Sequence, residues 1–216
     1  MWVILPVKRL ILGKSRLAAA LSPAQRAELT HRMLDDVLAA LHRCASVQKI
    51  LILSNEPTLT ASHISRVEQF SEATEGDLNR SLMSLAAELP ASAERVLILP
   101  CDVPTVCASD IAAFDGSKDA EIVLAPATAD GGTNALSSAL PLRIALRFGA
   151  NSLAHHLEAA QRVSAPVRIL RRRGLIRDID RREDLEWLAR SGFQGRAATY
   201  ARRMLMLADD SVLTRL

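Results

Sequence analysis

The chain has 216 residues, about half of them apolar (49%), with 27 basic against 24 acidic residues for a net charge of +3. That length suits one domain with a packed core, and the composition excludes wholesale disorder. Aromatics are only 3%, so the core is aliphatic, which favours helices layered on a buried sheet over an all-β sandwich and argues against stacking platforms for single-stranded nucleic acid.

In chain order, Trp2 to Val7 is a continuous apolar run and reads as a strand buried on both faces. A cation-rich loop follows from Lys8 to Leu17. Ser22-Pro23-Ala24-Gln25 carries an N-cap, a proline at the first helical position and a capping box. Leu29, Met33, Val37, Leu38 and Leu41 form that helix's apolar stripe. Lys49–Leu53 is a second strand, stopped by Ser54-Asn55-Glu56-Pro57. Arg66–Phe70 reads as a short strand, and Leu78, Leu82, Leu85 and Leu89 mark a helix. Arg95–Leu99 is a strong buried strand, and Glu121–Ala125 is another. A helix beginning near Asn151 carries Leu153, Leu157 and Ala160. Val167–Leu170 is a late strand, Asp184–Ala189 is helical, and a last helix covers Arg196–Leu207. Tyr200, Met204 and Leu207 lie four and three residues apart, a stripe that should pack on the core or on a second subunit of a homodimer.

Alternating strands and helices specify an α/β fold, a three-layer sandwich on a mainly parallel sheet. The chain reads as one domain, residues 1–191, with residues 192–216 a helical extension of the same domain. Such sheets bind ligands at the carboxyl ends of their strands, which directs attention to Lys8, Asp102, residues 131–134, Asp178 and Asp180. Cys44, Cys101 and Cys107 contain no Cys-x-x-Cys pair, so neither a disulfide framework nor a thiolate zinc site is indicated. The first apolar run is too short for a signal sequence, and no stretch of about 18 apolar residues could span a bilayer. A soluble, cytoplasmic protein is expected, with no nucleic-acid or membrane partner.

Asp102 follows an apolar strand and sits between Pro100 and Pro104, a rigid strand-end carboxylate suited to Mg²⁺, which takes carboxylate and phosphate oxygens; an ordinary turn aspartate is the alternative. Asp178-Ile179-Asp180, if extended, puts two carboxylates on one face with Ile179 buried opposite. A bound cation or salt bridges to Arg177, Arg181 and Arg182 would relieve their repulsion. Lys8, Lys14 and Arg16 could face a triphosphate, although neither a P-loop nor a dinucleotide fingerprint is present. Asp130-Gly131-Gly132-Thr133-Asn134 allows close backbone approach and offers a hydroxyl. Phe148-Gly149-Ala150-Asn151-Ser152 precedes a helix whose start suits an anion. His155 and His156 diverge by about 100° on a helix and make a poor metal pair, and His31, His42 and His63 have no metal spacing.

Taken in order, Pro6-Val7-Lys8, Gly13-Lys14-Ser15-Arg16-Leu17-Ala18, Leu78-Asn79, Leu99-Pro100-Cys101-Asp102-Val103-Pro104, Gly131-Gly132-Thr133-Asn134-Ala135-Leu136, Phe148-Gly149-x-x-Ser152 and Asp178-Ile179-Asp180-x-x-x-Asp184-Leu185 resemble the CofC/FbiD guanylyltransferases of deazaflavin coenzyme F-420 biosynthesis. The resemblance spans residues 3 to 190. It implies a nucleotide-diphospho-sugar transferase-like fold and transfer of GMP from GTP to a small phosphorylated three-carbon acid (2-phospho-L-lactate, phosphoenolpyruvate or 3-phospho-D-glycerate), with pyrophosphate released. It further implies that Thr133, Gly149 and Ser152 bind the acid. Asp102, Asp178 and Asp180 would hold Mg²⁺, Lys8 and Lys14 would face the triphosphate, and Ser54 and Asn79 would read guanine. Asp102 and Lys14 are then the catalytic pair, and a downstream transferase of the pathway is a candidate partner. Cys101 stands where the family usually has alanine, enlarging a wall beside the metal ligand. The competing readings are a sugar-phosphate or molybdopterin nucleotidyltransferase and a non-catalytic nucleotide-binding protein.

Overall fold

The computed structural model describes residues 1–10, 13–57, 59, 66–73, 76–115 and 122–213, with side chains to Met206. Ile11 and Leu12 of the cation-rich loop, His63, Glu121 and the Leu207 side chain lie outside the described residues. Seven strands form one sheet: β1 (Trp2–Pro6), β2 (Lys49–Leu53), β3 (Val67–Phe70), β4 (Arg95–Ile98), β5 (Ile122–Pro126), β6 (Thr133–Ala139) and β7 (Val167–Ile169). Their order is β3-β2-β1-β4-β6-β5-β7. All pairings are parallel except the two made by β6, which runs antiparallel to both β4 and β5.

Residues 3–5 of β1 and 50–53 of β2 are apolar at every position because both faces are covered. Val3 and Leu5 of β1 enter one core cluster and Ile4 the other. Ile50 and Ile52 of β2 oppose Leu51 and Leu53 in the same way, as period-two alternation requires. One face is covered by α1 (Pro23–Arg43) and the short α3 (Ala108–Ala112), the other by α2 (Leu78–Ala87) and α4 (Ser152–Arg162). The capping box at Ser22 and Gln25 forms as expected.

The C-terminal helices α5 (Arg182–Arg190) and α6 (Arg196–Leu213) pack against each other, and α6 packs on α1 rather than on the sheet. Leu29 and Met33 of α1 meet Leu185, Leu188, Ala197, Ala198 and Ala201 in a third core. Tyr200 donates its hydroxyl to the Gln25 carbonyl at 3.3 Å, and Gln25 Nε2 donates to Met204 Sδ at 3.4 Å. These residues of the terminal stripe therefore pack within the chain.

The structure departs from the sequence reading in four places. Residues 133–139, which the sequence reading assigns to no element, form the central strand β6; Thr133, Asn134, Ser137 and Ser138 are polar yet buried, and their composition hides a strand whose small side chains fit between β4 and β5. The five-residue α3 is too short to show a helical period. Leu89 lies beyond the end of α2. On α4 the inward face is Ser152, His156 and Ala160, while Leu157 is exposed at 38%.

Candidate active site

β1 pairs with β2 on one side and β4 on the other, so the chain reverses its direction of winding between β1 and β4. Open α/β sheets bind ligands beyond the strand ends at such a switch point, and the loops after β1 and β4 bring Lys14 and Asp102 together there. Lys14 follows Gly13 and takes the left-handed conformation, φ 54°, which costs a non-glycine residue about 1–3 kcal/mol and is tolerated where the surroundings impose it. Its ammonium lies 2.8 Å from Asp102 Oδ2 and 3.6 Å from Asp180 Oδ1. Burial alone would lower the lysine's pKa, but the Asp102 and Asp180 carboxylates outweigh it and raise the pKa. Lys14 is therefore a fixed cation. Arg16 Nη1 completes the set at 2.7 Å from Asp180 Oδ2.

Asp178, two residues earlier, sits in a different field. Burial and then the neighbouring Asp102 charge push its carboxyl up, Lys14 pulls it down, and Asp130 adds to the rise. Ile179 is fully buried between the two aspartates, as the alternation suggests, and its N–H donates to the Asp102 carbonyl at 2.9 Å. The two carboxylates nonetheless serve different partners: Asp180 turns to Lys14 and Arg16, while Asp178 feels the Asp102 charge most strongly. The arginines nearby pair elsewhere. Arg177 donates to Asp184 at 2.8 Å and Arg182 to Glu186 at 2.9 Å. Asp184 Oδ2 also accepts from Asp180 N at 3.2 Å and Arg181 N at 2.8 Å, fixing the segment at the start of α5.

Among the described residues no three His, Cys, Asp or Glu side chains are gathered into a ready metal cluster. Lys14 stands between Asp102 and Asp180, which accounts for that. The donor chemistry still suits a hard divalent cation, since Asp102 and Asp178 are oxygen donors whose mutual repulsion a cation would relieve, and Mg²⁺ commonly binds through one or two carboxylates plus substrate phosphates. Cys101, adjacent, is buried; burial and then the Asp102 charge push its thiol up to about 12, making it a neutral wall residue.

Lys8 is exposed just beyond β1. Ser54 is buried after β2, and its hydroxyl accepts from Glu56 N at 3.1 Å. The buried Glu56 accepts in turn from Leu10 N at 2.9 Å, anchoring the cationic loop. In the sequence Glu56 stands out only as part of a strand stop.

The second half of the site is neutral. Thr133 begins β6 after the Gly131-Gly132 turn, where Gly131 takes φ 68°. Gly149 takes φ 130°, a conformation that favours glycine, and Ser152 opens α4 with no acidic residue in its first turn. Leu153 N donates to the Gly131 carbonyl at 3.1 Å, joining the two segments. Ser152 Oγ donates to Thr133 Oγ1 at 3.1 Å. Asn79, expected near guanine, holds the Phe148 backbone: its Nδ2 donates to the Phe148 carbonyl at 3.1 Å and its Oδ1 accepts from Phe148 N at 2.7 Å.

His156, which the sequence offers only as half of a poor metal pair, touches Thr133: its Nδ1 lies 3.1 Å from Thr133 Oγ1, and its Nε2 accepts from Arg147 N at 3.0 Å. The ring is fully buried, and burial followed by the nearby His155 charge lowers its pKa to about 4. The spacing of Ser152, His156 and Ala160 along one helix face is the sequence signal that could have found it.

Comparison with known proteins identifies the family. The family model described as "Guanylyl transferase CofC like" matches residues 1–211. The phosphoenolpyruvate guanylyltransferase of Roseiflexus sp. (strain RS-1) is 36% identical, over 94% of this chain and 90% of its own. The 2-phospho-L-lactate guanylyltransferase of Methanothermobacter thermautotrophicus is 32% identical, over 96% of this chain and 92% of its own. Among solved structures, a protein described as a nucleotide-diphospho-sugar transferase from Desulfovibrio desulfuricans G20 superposes with a TM-score of 0.76 at 16% identity, covering 97% of this chain and 96% of that one, a likeness of fold. The chain thus belongs to the CofC-like guanylyltransferase family and is a nucleotidyltransferase.

Proposed function

We propose that this enzyme transfers GMP from GTP to the phosphate of a small phosphorylated three-carbon acid (phosphoenolpyruvate, 2-phospho-L-lactate or 3-phospho-D-glycerate), in the cytoplasm and as a step of coenzyme F-420 biosynthesis. The observation that carries this reading is the pairing of two unlike half-sites at one end of the sheet. One is a lysine held between carboxylates; the other is a hydroxyl cluster at a helix start. The first suits a triphosphate, the second a small anion. The activities of the phosphoenolpyruvate and 2-phospho-L-lactate guanylyltransferase relatives support both the nucleotide and the class of acid.

An oxygen of the acid's phosphate attacks the α-phosphorus of GTP. A phosphorus–oxygen bond forms there, the bond from the α-phosphorus to the oxygen leading to the β-phosphate breaks, and pyrophosphate leaves. A phosphate monoester has a second pKa near 6 and is already mostly dianionic at pH 7, so no general base is needed. The barrier is the approach of a dianion to a polyanion. Lys14, kept charged and immobile by Asp102 and Asp180, neutralises part of that repulsion, with Lys8 at the mouth of the same loop. Asp102 and Asp178, with Asp180 beside them, would hold Mg²⁺, which when bound would neutralise the triphosphate and polarise its phosphorus. Thr133 and the backbone around Gly149 receive the acid, with the Ser152 hydroxyl holding Thr133 in place.

The test is pyrophosphate release with GTP, Mg²⁺ and each of the three acids, with a trapping transferase because diphosphate products of this kind are expected to be labile. Release with at least one phospho-acid and none with unphosphorylated lactate or glycerate is expected. Turnover of an unphosphorylated hydroxy acid would refute the reading.

A further inference from the structure

Thr133 and Ser152 carry hydroxyls, which can donate or accept, so their presence does not by itself say which kind of group they recognise. The residues behind them remove that ambiguity. A backbone N–H only donates, and Arg147 N points at His156 Nε2 from 3.0 Å. Nε2 must therefore present its lone pair, since a proton there would set two donors against each other. The proton of the neutral ring sits on Nδ1, facing Thr133 Oγ1 at 3.1 Å. Ser152 Oγ donates to the same Thr133 oxygen at 3.1 Å. With both lone pairs of Thr133 engaged, its own hydroxyl proton is left to point out of the cluster.

We propose that His156 is a positioning residue that sets the polarity of the acid subsite: by donating to Thr133 it obliges the threonine hydroxyl to act as an outward donor, selecting ligands that present a pure acceptor, a carboxylate or phosphate oxygen. The inference rests on the acid-binding role given to Thr133 above. The ring is held for this task. Its plane meets the Phe148 ring edge-on, with centroids 5.2 Å apart and an interplanar angle of 69°. Phe148 is itself gripped at both backbone polar groups by Asn79. The line of control runs from α2 through residue 148 to α4 and β6, and only its last member meets the ligand.

The tautomer can be read without turnover, from the ring ¹⁵N shifts of His156 in labelled full-length protein. A protonated Nδ1 with a bare Nε2 is expected, and a protonated Nε2 overturns the proposal. Two variants read the consequence. His156→Asn retains an N–H donor near the Nδ1 position and should keep the KM for the acid within about threefold of wild type. His156→Leu fills much of the same space with no donor, and should raise the acid KM by about ten- to a hundredfold, the range for losing one charge-assisted hydrogen bond. The GTP KM should stay within about twofold. Equal shifts in both KM values for the leucine variant, or failure of asparagine to rescue, would reduce His156 to a packing residue and overturn the proposal. Absence of guanylyl transfer from wild type to any of the three acids would instead overturn the functional reading, and the ¹⁵N result would still decide the polarity of the cluster.

Discussion

The two halves of the site solve the problem of binding an anion in different ways. On the β1–β4 side the groups are charged and their direction is intrinsic: Lys14 can only donate, Asp102 and Asp180 only accept, and contacts of 2.7–3.6 Å follow once the strand ends bring them together. On the β6–α4 side the groups are neutral and their direction is borrowed. Thr133 becomes a donor because of His156, and His156 has its tautomer because of a backbone N–H. A charged subsite can be built from the residues that touch the ligand, whereas a neutral one depends on residues that do not. The charged side should therefore govern rate and the neutral side affinity for the acid.

Breaking the charged half should have the largest effect. Asp102→Asn keeps the shape and one acceptor for Lys14 but removes the charge, and should cut turnover by about 10²–10³-fold while the protein stays folded. Near-normal pyrophosphate release would contradict the division. Next comes the pH dependence of stability on the neutral side. The folded pKa of His156 is lowered to about 4 from an unfolded value near 6.5. Between those values the unfolded state binds the extra proton, so the stabilisation is complete above pH 6.5 and is lost as pH falls to 4. The loss should approach about 3 kcal/mol, because each tenfold difference in proton affinity between the folded and unfolded states is worth about 1.36 kcal/mol. Chemical denaturation of wild type and His156→Leu at several pH values measures the difference, since the variant lacks this slope. His155, the titratable neighbour, is present in both proteins.

Smaller but more selective effects follow. Thr133→Val should raise the acid KM about ten- to a hundredfold, leaving the GTP KM and most of kcat in place; Thr133→Ser should restore the acid KM. A selective loss of GTP affinity would move Thr133 to the nucleotide side. Asn79→Ala should loosen the Phe148 backbone and raise the acid KM by roughly three- to tenfold, as expected for one to two ordinary hydrogen bonds acting at a distance. If Asn79 instead reads guanine, the GTP KM rises and the acid KM does not.

The same contrast explains what is legible in the sequence. Buried strands such as β1 and β2 show as unbroken apolar runs, and α1 announces itself by its capping box. Asp102 stands out between two prolines, and Lys14 by its place after the first strand. β6 is invisible because a central strand of Thr133, Asn134, Ser137 and Ser138 has the composition of a turn; its burial is imposed by β4 and β5 on either side. His156 escapes notice because Leu157 looks like the better inward residue, and only tertiary packing puts Leu157 at the surface. The pairing of Asp178 and Asp180 is readable as alternation around a buried Ile179, but not their separate partners, since Arg16 lies 164 residues away from Asp180 in sequence.

The central claim is that the acid's own phosphate is the nucleophile and that the protein contributes electrostatics and position rather than a base. The most direct measurement is ³¹P NMR of the product formed from GTP and the acid bearing ¹⁸O in its phosphate group. The account predicts ¹⁸O in the oxygen bridging the two phosphorus atoms of the product, and unlabelled pyrophosphate. A bridge free of ¹⁸O, or label in the released pyrophosphate, would contradict it.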